Sequence, residues 1–379
     1  GPGAVFWMWA IAVAGMATSL IECTLAQTFK RKAADGTFRG GPAAYIRHGL
    51  GANHRWLVQL YAVCLLASFG LGFNAFQGNT ISTAVRDSLG VPTLATGLVL
   101  GAITALIVFG GIRRIAKASD VIVPVMCLAY VVAAIAVLAM NIGELPRVLG
   151  QIVSNAFGWT EAVSGGVGAA IAAGLRRGLF SNEAGLGSAP NVAATADVKH
   201  PVSQGITQAL SVFIDTIVIC SATAFIILLG DVYKPGGELS GAALLQQSMV
   251  GHLGAWAQYF LTFIIFLFAF SSIIYNYYLG ETAMYELSTS KAATMLLRVL
   301  VIGCVILGAA APKATSVFFF SDPMMGLLAL VNLMVIITLL PVVLRLLADY
   351  RAQLASGEAV PRFDPARFPD LDVDHAAWK

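Results

Sequence analysis

The densest run of chemically capable side chains lies between Gly174 and Pro190. There GLRRGLFSNEAGLGSAP places Arg176, Arg177, Ser181, Asn182 and Glu183 among four glycines. The run falls inside a disrupted apolar stretch, Val163–Asp197, where a membrane helix is expected. Every backbone polar group in hydrocarbon must be satisfied internally, and a continuous lipid-facing helix of this composition would be very unfavourable. A helix unwound in its middle resolves the conflict, because freed carbonyls and half-helix ends become ligand groups for a small polar solute or a cation. The competing reading is a short interfacial helix and loop that never enters the core.

Further polar residues recur at helical spacing. Gln204, Gln208, Ser211 and Asp215 fall at intervals of 4, 3 and 4, which places them on one helix face. Asp215 is mid-span, where an ionised carboxylate without a partner costs at least ~2.5 kcal/mol. Asn74 and Gln77 share a face with Asn79 nearby, and Thr18 and Glu22 are four apart. Ser271, Ser272 and Asn276 interrupt a run that is otherwise greasy. A single Ser or Asn is commonly packing glue between helices, worth about 0.6 kcal/mol. Glu22 and Asp215 are costlier to bury, and Arg176 or Arg177 are candidate ion-pair partners for them.

Several function classes are excluded. No P-loop, G-x-S-x-G or HExxH occurs, so ATP-driven transport and serine or zinc hydrolysis lack support. The five cysteines sit in apolar stretches without metal-ligand spacing, and the histidines fall in polar connections or the tail. A formal charge of +3 with no basic stripe argues against nucleic acid as a partner. The chain is 58% hydrophobic and 11% charged, whereas soluble domains carry roughly a quarter charged residues. This is the composition of an integral membrane protein with a lipid bilayer as its surroundings. A polar broken helix in such a chain fits a secondary transporter better than an enzyme, with a channel or receptor still open on composition.

The elements that would position these residues are helices of about 20 apolar residues. Nine such stretches are expected: Ala4–Gln27, Trp56–Thr83, Leu94–Ile112, Val121–Met140, a disrupted one across Val163–Asp197, Ile206–Leu229, Ala255–Leu279, Ala292–Ala311 and Met324–Leu347. They make an all-α polytopic bundle, a transmembrane domain over residues 1–348 with a polar tail over residues 349–379. If the first span runs inward, seventeen Lys and Arg lie inside and four outside, with Arg176 and Arg177 in the disrupted span. The positive-inside rule therefore predicts a cytoplasmic C-terminus. Residue 1 then lies outside against a span with no signal peptide before it, so at least one earlier helix is expected to be missing.

The opening GPGAVFWMW, the segment GTFRGGPAAYI (Gly36–Ile46) and above all RGLFSNEAGLGSAP (Arg177–Pro190) resemble the alanine/glycine:cation symporter family, also called sodium:alanine symporters. The resemblance continues through ATADVKHPVSQG and FIDTIVICSATAFIILL and covers essentially the whole chain. It implies a leucine-transporter-like fold, two inverted five-helix repeats, and carriage of alanine or glycine with Na+ (H+ being the alternative coupling ion, with Glu22 or Asp215 as carrier). The spans would be core helices two to ten, with the partner broken helix of the first repeat absent, which leaves an ion channel or an inactive scaffold fragment as the alternative from another class. The family implies a cell-membrane location and no cofactor beyond Na+ as coupling ion. Carried over residue by residue, Gln77 looks like a substrate-contacting glutamine, and Gly178, Leu179, Ser181 and Asn182 look like the unwound substrate segment. Ser271 and Ser272 occupy the span that supplies hydroxyls to a sodium site, and Ser272 and Asn276 would also border the substrate. Many members carry a Gly-Trp pair where this chain has Tyr275 and Asn276, which changes pocket size. Glu22, Glu183, Asp215, Arg176 and Arg177 would be structural or gating charges.

Overall fold

The computed structural model describes residues 1–34, 36–110, 112–158, 166–234, 237, 239, 241–311 and 315–378. In order, the chain forms α1 (Gly3–Thr28), a small hairpin of β1 (Arg31–Lys32) and β2 (Phe38–Arg39), α2 (Pro42–Gly49), α3 (Arg55–Leu89), α4 (Thr93–Val108), α5 (Ile112–Met140) and α6 (Leu145–Ala156). It continues with α7 (Gly166–Asn182), α8 (Ala189–Ala193), α9 (Pro201–Leu229), α10 (Gly241–Leu253), α11 (Trp256–Leu287), α12 (Lys291–Ala310), α13 (Thr315–Thr338) and α14 (Leu340–Ala355). Among the described residues, seven helices are long and apolar enough to cross a membrane: α1, α3, α9, α11, α12, Val123–Met140 of α5 and Ser321–Thr338 of α13. The chain is an all-α, multi-pass membrane protein.

Several expected spans change. Leu94–Ile112 stops early, because α4 ends at Val108 in a turn at Gly110 and has 16 residues. Met324–Leu347 is two helices: Pro341 lacks the N–H needed to continue α13 and instead occupies the first turn of α14. The disrupted span is α7 plus α8; its expected first residues, 163–165, lie outside the described residues, as do Lys313 and Lys379. The connection after α1 is not a plain loop. Its hairpin pairs Arg31 with Arg39 and Lys32 with Phe38, and α2 buries Pro42, Ala43, Tyr45 and Ile46 on one face.

The chain divides into two compact units. Unit 1 comprises Gly1–Trp7, Leu66–Gly174 and Val218–Pro323. Its core packs Ile81, Leu100, Ile273, Leu297, Val301 and Val305 between α3, α4, α11 and α12. Small residues let two of these helices approach closely: a Cβ added at Gly308 of α12 would overlap the Ala75 backbone of α3. Asn79 donates to the carbonyls of Gly308 (3.1 Å) and Ala311 (2.8 Å), and Ser82 to that of Ala309 (3.0 Å). These bonds satisfy the orphan carbonyls at the end of α12. Within α3 the stretch Leu66–Phe73 is π-helical, and the Asn74 amide donates to the carbonyls of Phe69 (3.3 Å) and Gly70 (2.8 Å). Asn74 thus repairs the widened turn.

Unit 2 comprises Met8–Leu65, Leu175–Ile217 and Met324–Lys379. Here α1 is the spine. Gly205 of α9 lies against Thr24 and the Leu20 carbonyl, and Gly178 of α7 lies against Ile11. A separate cluster of Val202, Leu346, Phe363, Phe368 and Val373 joins α9, α14 and the C-terminal tail.

Candidate functional site

The glycine-rich run lies in unit 2, and its helix breaks one turn later than the sequence suggests. Gly178, Leu179, Ser181 and Asn182 form the last turn of α7, and the Leu179 carbonyl accepts the Glu183 N–H at 3.0 Å. The chain then leaves the helix with positive φ at Glu183 (54°), Gly185 (82°) and Gly187 (80°) before Pro190 opens α8. A left-handed φ is cheap for glycine and costly for glutamate, so Glu183 must be held from outside. Its Oε2 accepts the Ser188 hydroxyl at 2.5 Å.

The break exposes backbone N–H groups that the helix no longer pairs. Glu22 of α1, fully buried, takes them: Oε1 accepts the Gly185 N–H (3.0 Å) and Oε2 the Gly187 N–H (3.2 Å). Asn332 of α13 donates to Glu22 Oε2 (2.8 Å) and to the Gly185 carbonyl (3.0 Å). The Tyr45 hydroxyl donates to Asn332 Oδ1, and the Tyr61 hydroxyl donates to the Gly187 carbonyl at 2.8 Å. Asn191 closes the network with an amide donated to the Tyr61 oxygen at 2.7 Å. A buried carboxylate is tolerated when several donors meet it.

A second polar cluster sits beside the end of α7. Ser181 (2.6 Å) and Thr216 (3.0 Å) donate to Asp215 Oδ2, and Asn182 donates to the Thr216 hydroxyl at 3.1 Å. Asn182 Oδ1 accepts the Ala184 N–H at 3.1 Å, so this side chain bridges the break and α9. Asp215 lies in a π-helical stretch, Phe213–Cys220, which alters the 4-3-4 spacing that grouped it with Gln204, Gln208 and Ser211. Arg176 and Arg177 are exposed, and the Arg177 guanidinium lies 5.8 Å from the Phe180 ring centroid. Among the described residues, the hydrogen-bond donors to Glu22 and Asp215 are backbone N–H groups, an amide and hydroxyls, where the sequence offers Arg176 or Arg177 as ion-pair partners.

The remaining predicted residues lie in unit 1. Gln77 is half-buried and makes no side-chain hydrogen bond among the described residues. Ser271 and Ser272 both donate to the Phe268 carbonyl, at 2.9 and 3.0 Å. The Ser271 hydroxyl also reaches the Met126 sulfur at 3.9 Å, whereas the Ser272 proton is engaged within α11. Asn276 is buried on the same helix, at 3% exposure.

Sequence reasoning missed Asn332, Tyr45, Tyr61, Asn191 and Thr216. Asn332 alone left a signal, as the single amide within the greasy stretch LLALVNLMVII.

The profile of the sodium:alanine symporter family matches residues 1–365. The probable sodium/glutamine symporter GlnT of Bacillus subtilis is 47% identical over 99% of this chain and 76% of its own length. The sodium/alanine symporter AgcS of Methanococcus maripaludis is 36% identical over 90% of this chain and 76% of its own. The sodium/proton-dependent alanine carrier protein of Bacillus sp. strain PS3 is 31% identical over 97% of this chain and 85% of its own. The chain belongs to the sodium:alanine symporter family, which places it among transporters rather than enzymes.

Proposed function

We propose that the protein carries a small neutral amino acid, alanine or glycine, inward across the cell membrane with Na+ by alternating access, on a leucine-transporter-like inverted repeat with a cytoplasmic C-terminus. The observation that carries this reading is the helix break at Glu183–Ser188, held open by Glu22 and Asn332 inside a family of sodium:alanine symporters. The last turn of α7, Gly178–Asn182, presents the negative end of a helix dipole, which suits the ammonium of an amino acid. Asn182 adds a neutral hydrogen-bonding group without fixed charge, as a zwitterion requires. One Na+ moving down 100 mV releases about 2.3 kcal/mol, enough to drive accumulation before any concentration gradient is counted.

Ser271 and Ser272 suit the cation, because a hydroxyl that donates to its own helix presents only acceptor character to a neighbour. Replacing both by alanine removes two oxygens with little cost to α11. The expected result is a rise of about tenfold or more in the Na+ concentration for half-maximal uptake, ~1.4 kcal/mol of binding, with thermal stability nearly unchanged. An unaltered Na+ dependence would remove these hydroxyls from the cation site.

H+ coupling is the second reading. It draws on Glu22 and Asp215, whose hydrogen-bond donors described above are all neutral, and on the sodium/proton-dependent carrier among the relatives. Uptake that follows a pH gradient with Na+ absent would favour it.

A further inference from the structure

The tail after α14 reads as a polar extension, yet it is seated on unit 2 over most of its length. Phe363, Phe368 and Val373 are each no more than 7% exposed, packed with Val202 at the start of α9 and Leu346 of α14. The segment Asp370–Leu371–Asp372–Val373–Asp374 alternates, its apolar residues packed on that cluster and the carboxylates of Asp370 and Asp372 paired with cations. Asp370 takes a two-pronged bond from Arg345 (2.5 and 2.7 Å). Asp372 meets Arg31 (2.8 Å) and His48 (2.6 Å), and Asp374 Oδ2 accepts the Lys32 N–H (2.9 Å). Arg367 pairs with Asp349, which also faces His200 at 3.4 Å, and the Phe363 N–H donates to the Lys199 carbonyl at 2.9 Å.

The end of the tail reaches a buried lysine. The Lys30 ammonium sits between the Phe38 and Trp378 rings, 4.2 and 4.4 Å from their centroids, and donates to the Ala196 carbonyl at 3.1 Å. Gln27, one turn earlier, donates to the same carbonyl (3.0 Å) and to that of Ala193 (2.6 Å). A continuous set of contacts therefore runs from Trp378 through Lys30 to the link between α8 and α9, immediately after the helix break.

We propose that the C-terminal tail, Pro361–Trp378, is a releasable strap: seated, it braces the α8–α9 link through Lys30, and unseated, it lets that link loosen. The exposed ion pairs make the strap sensitive to ionic strength, because screening weakens surface pairs while leaving the aromatic contacts in place. A strap of this kind bears on the rate at which the broken helix changes state rather than on affinity, a consequence that rests on the transport function proposed above.

Hydrogen exchange of the whole protein in lipid nanodiscs tests it, at low and high KCl. The amides of Phe363, Arg367, Phe368 and Val373 are expected to exchange on the order of 100-fold more slowly than in a free peptide. Asp370→Asn with Asp372→Asn, and separately Trp378→Leu, should abolish that protection and also speed exchange at Ala194, Thr195 and Ala196. Lys30→Arg and Trp378→Phe, which keep a cation and a ring, should retain both. In proteoliposomes the unseating variants should lower the maximal alanine uptake rate severalfold with KM within about twofold. A wild-type tail that exchanges as a free peptide overturns the strap. So does an unseated tail that leaves residues 194–196 unaffected. If wild-type protein takes up no amino acid, the proposed function fails, while the exchange data still decide whether the strap exists.

Discussion

The Glu22 carboxylate accepts the Gly185 backbone N–H at 3.0 Å, joining residues 163 positions apart in the chain. With Oε2 on Gly187 and Asn332, one side chain of α1 accepts the N–H groups that carbonyls of the preceding helical turn would have accepted. The break is therefore a built feature, specified as much by α1 and α13 as by its own glycines.

Glu22→Gln tests that assignment. One end of the new amide is a donor facing the Gly187 and Asn332 donors or the Gly185 N–H, so at least one buried N–H loses its acceptor. The expected cost is about 1–3 kcal/mol, seen as a lower Tm in detergent. A variant as stable as the parent would show that the segment holds its shape without the carboxylate.

Gln77 and Asn74 share a helix face in the sequence but differ in the structure. Asn74 is fully buried with its amide on two carbonyls of the π-helical turn, so Asn74→Ala should lower stability by about 1–3 kcal/mol. Gln77 spends no hydrogen bond on the described residues, so Gln77→Ala should leave Tm nearly unchanged and weaken labelled-alanine binding about tenfold or more, ~1.4 kcal/mol. The reverse pattern, normal affinity with reduced stability for Gln77→Ala, would make Gln77 a packing residue.

Lys30 predicts a pH dependence. Burial pushes its ammonium from 10.5 down to about 8, against the opposing attraction of Asp197. Between those values the unfolded chain holds the proton that the folded chain has released, so stability should rise with pH from about 8 toward 10.5. Below about 8 both states are protonated and Lys30 contributes no slope. Lys30→Met should flatten this rise in thermal melts across the alkaline range, and an identical rise in that variant would assign it to another group.

How much of this was legible in the sequence follows from the physics of each element. Long apolar runs must span or be buried, so α1, α3, α9, α11 and α12 appear close to their expected bounds. The break near Asn182 was visible because charged and glycine residues cannot share a lipid-facing helix, but its position was one turn early. That position is decided by Glu22, a partner too distant in the chain for local spacing to reveal. The π-helical stretches in α3 and α9 left no compositional trace. The tail was missed for a different reason: Leu371 and Val373 alternate with carboxylates over too few residues to be read as a buried face without Val202 and Leu346 beside them.

The most direct test of the central claim is labelled-alanine uptake into proteoliposomes carrying the whole protein, with Na+ replaced by choline at constant pH and, separately, with pH varied at constant Na+. Na+-coupled symport predicts uptake that collapses in choline, persists across the pH series and exceeds the outside concentration when an inward Na+ gradient is imposed. Uptake that is indifferent to choline, or that follows only the pH gradient, would contradict it.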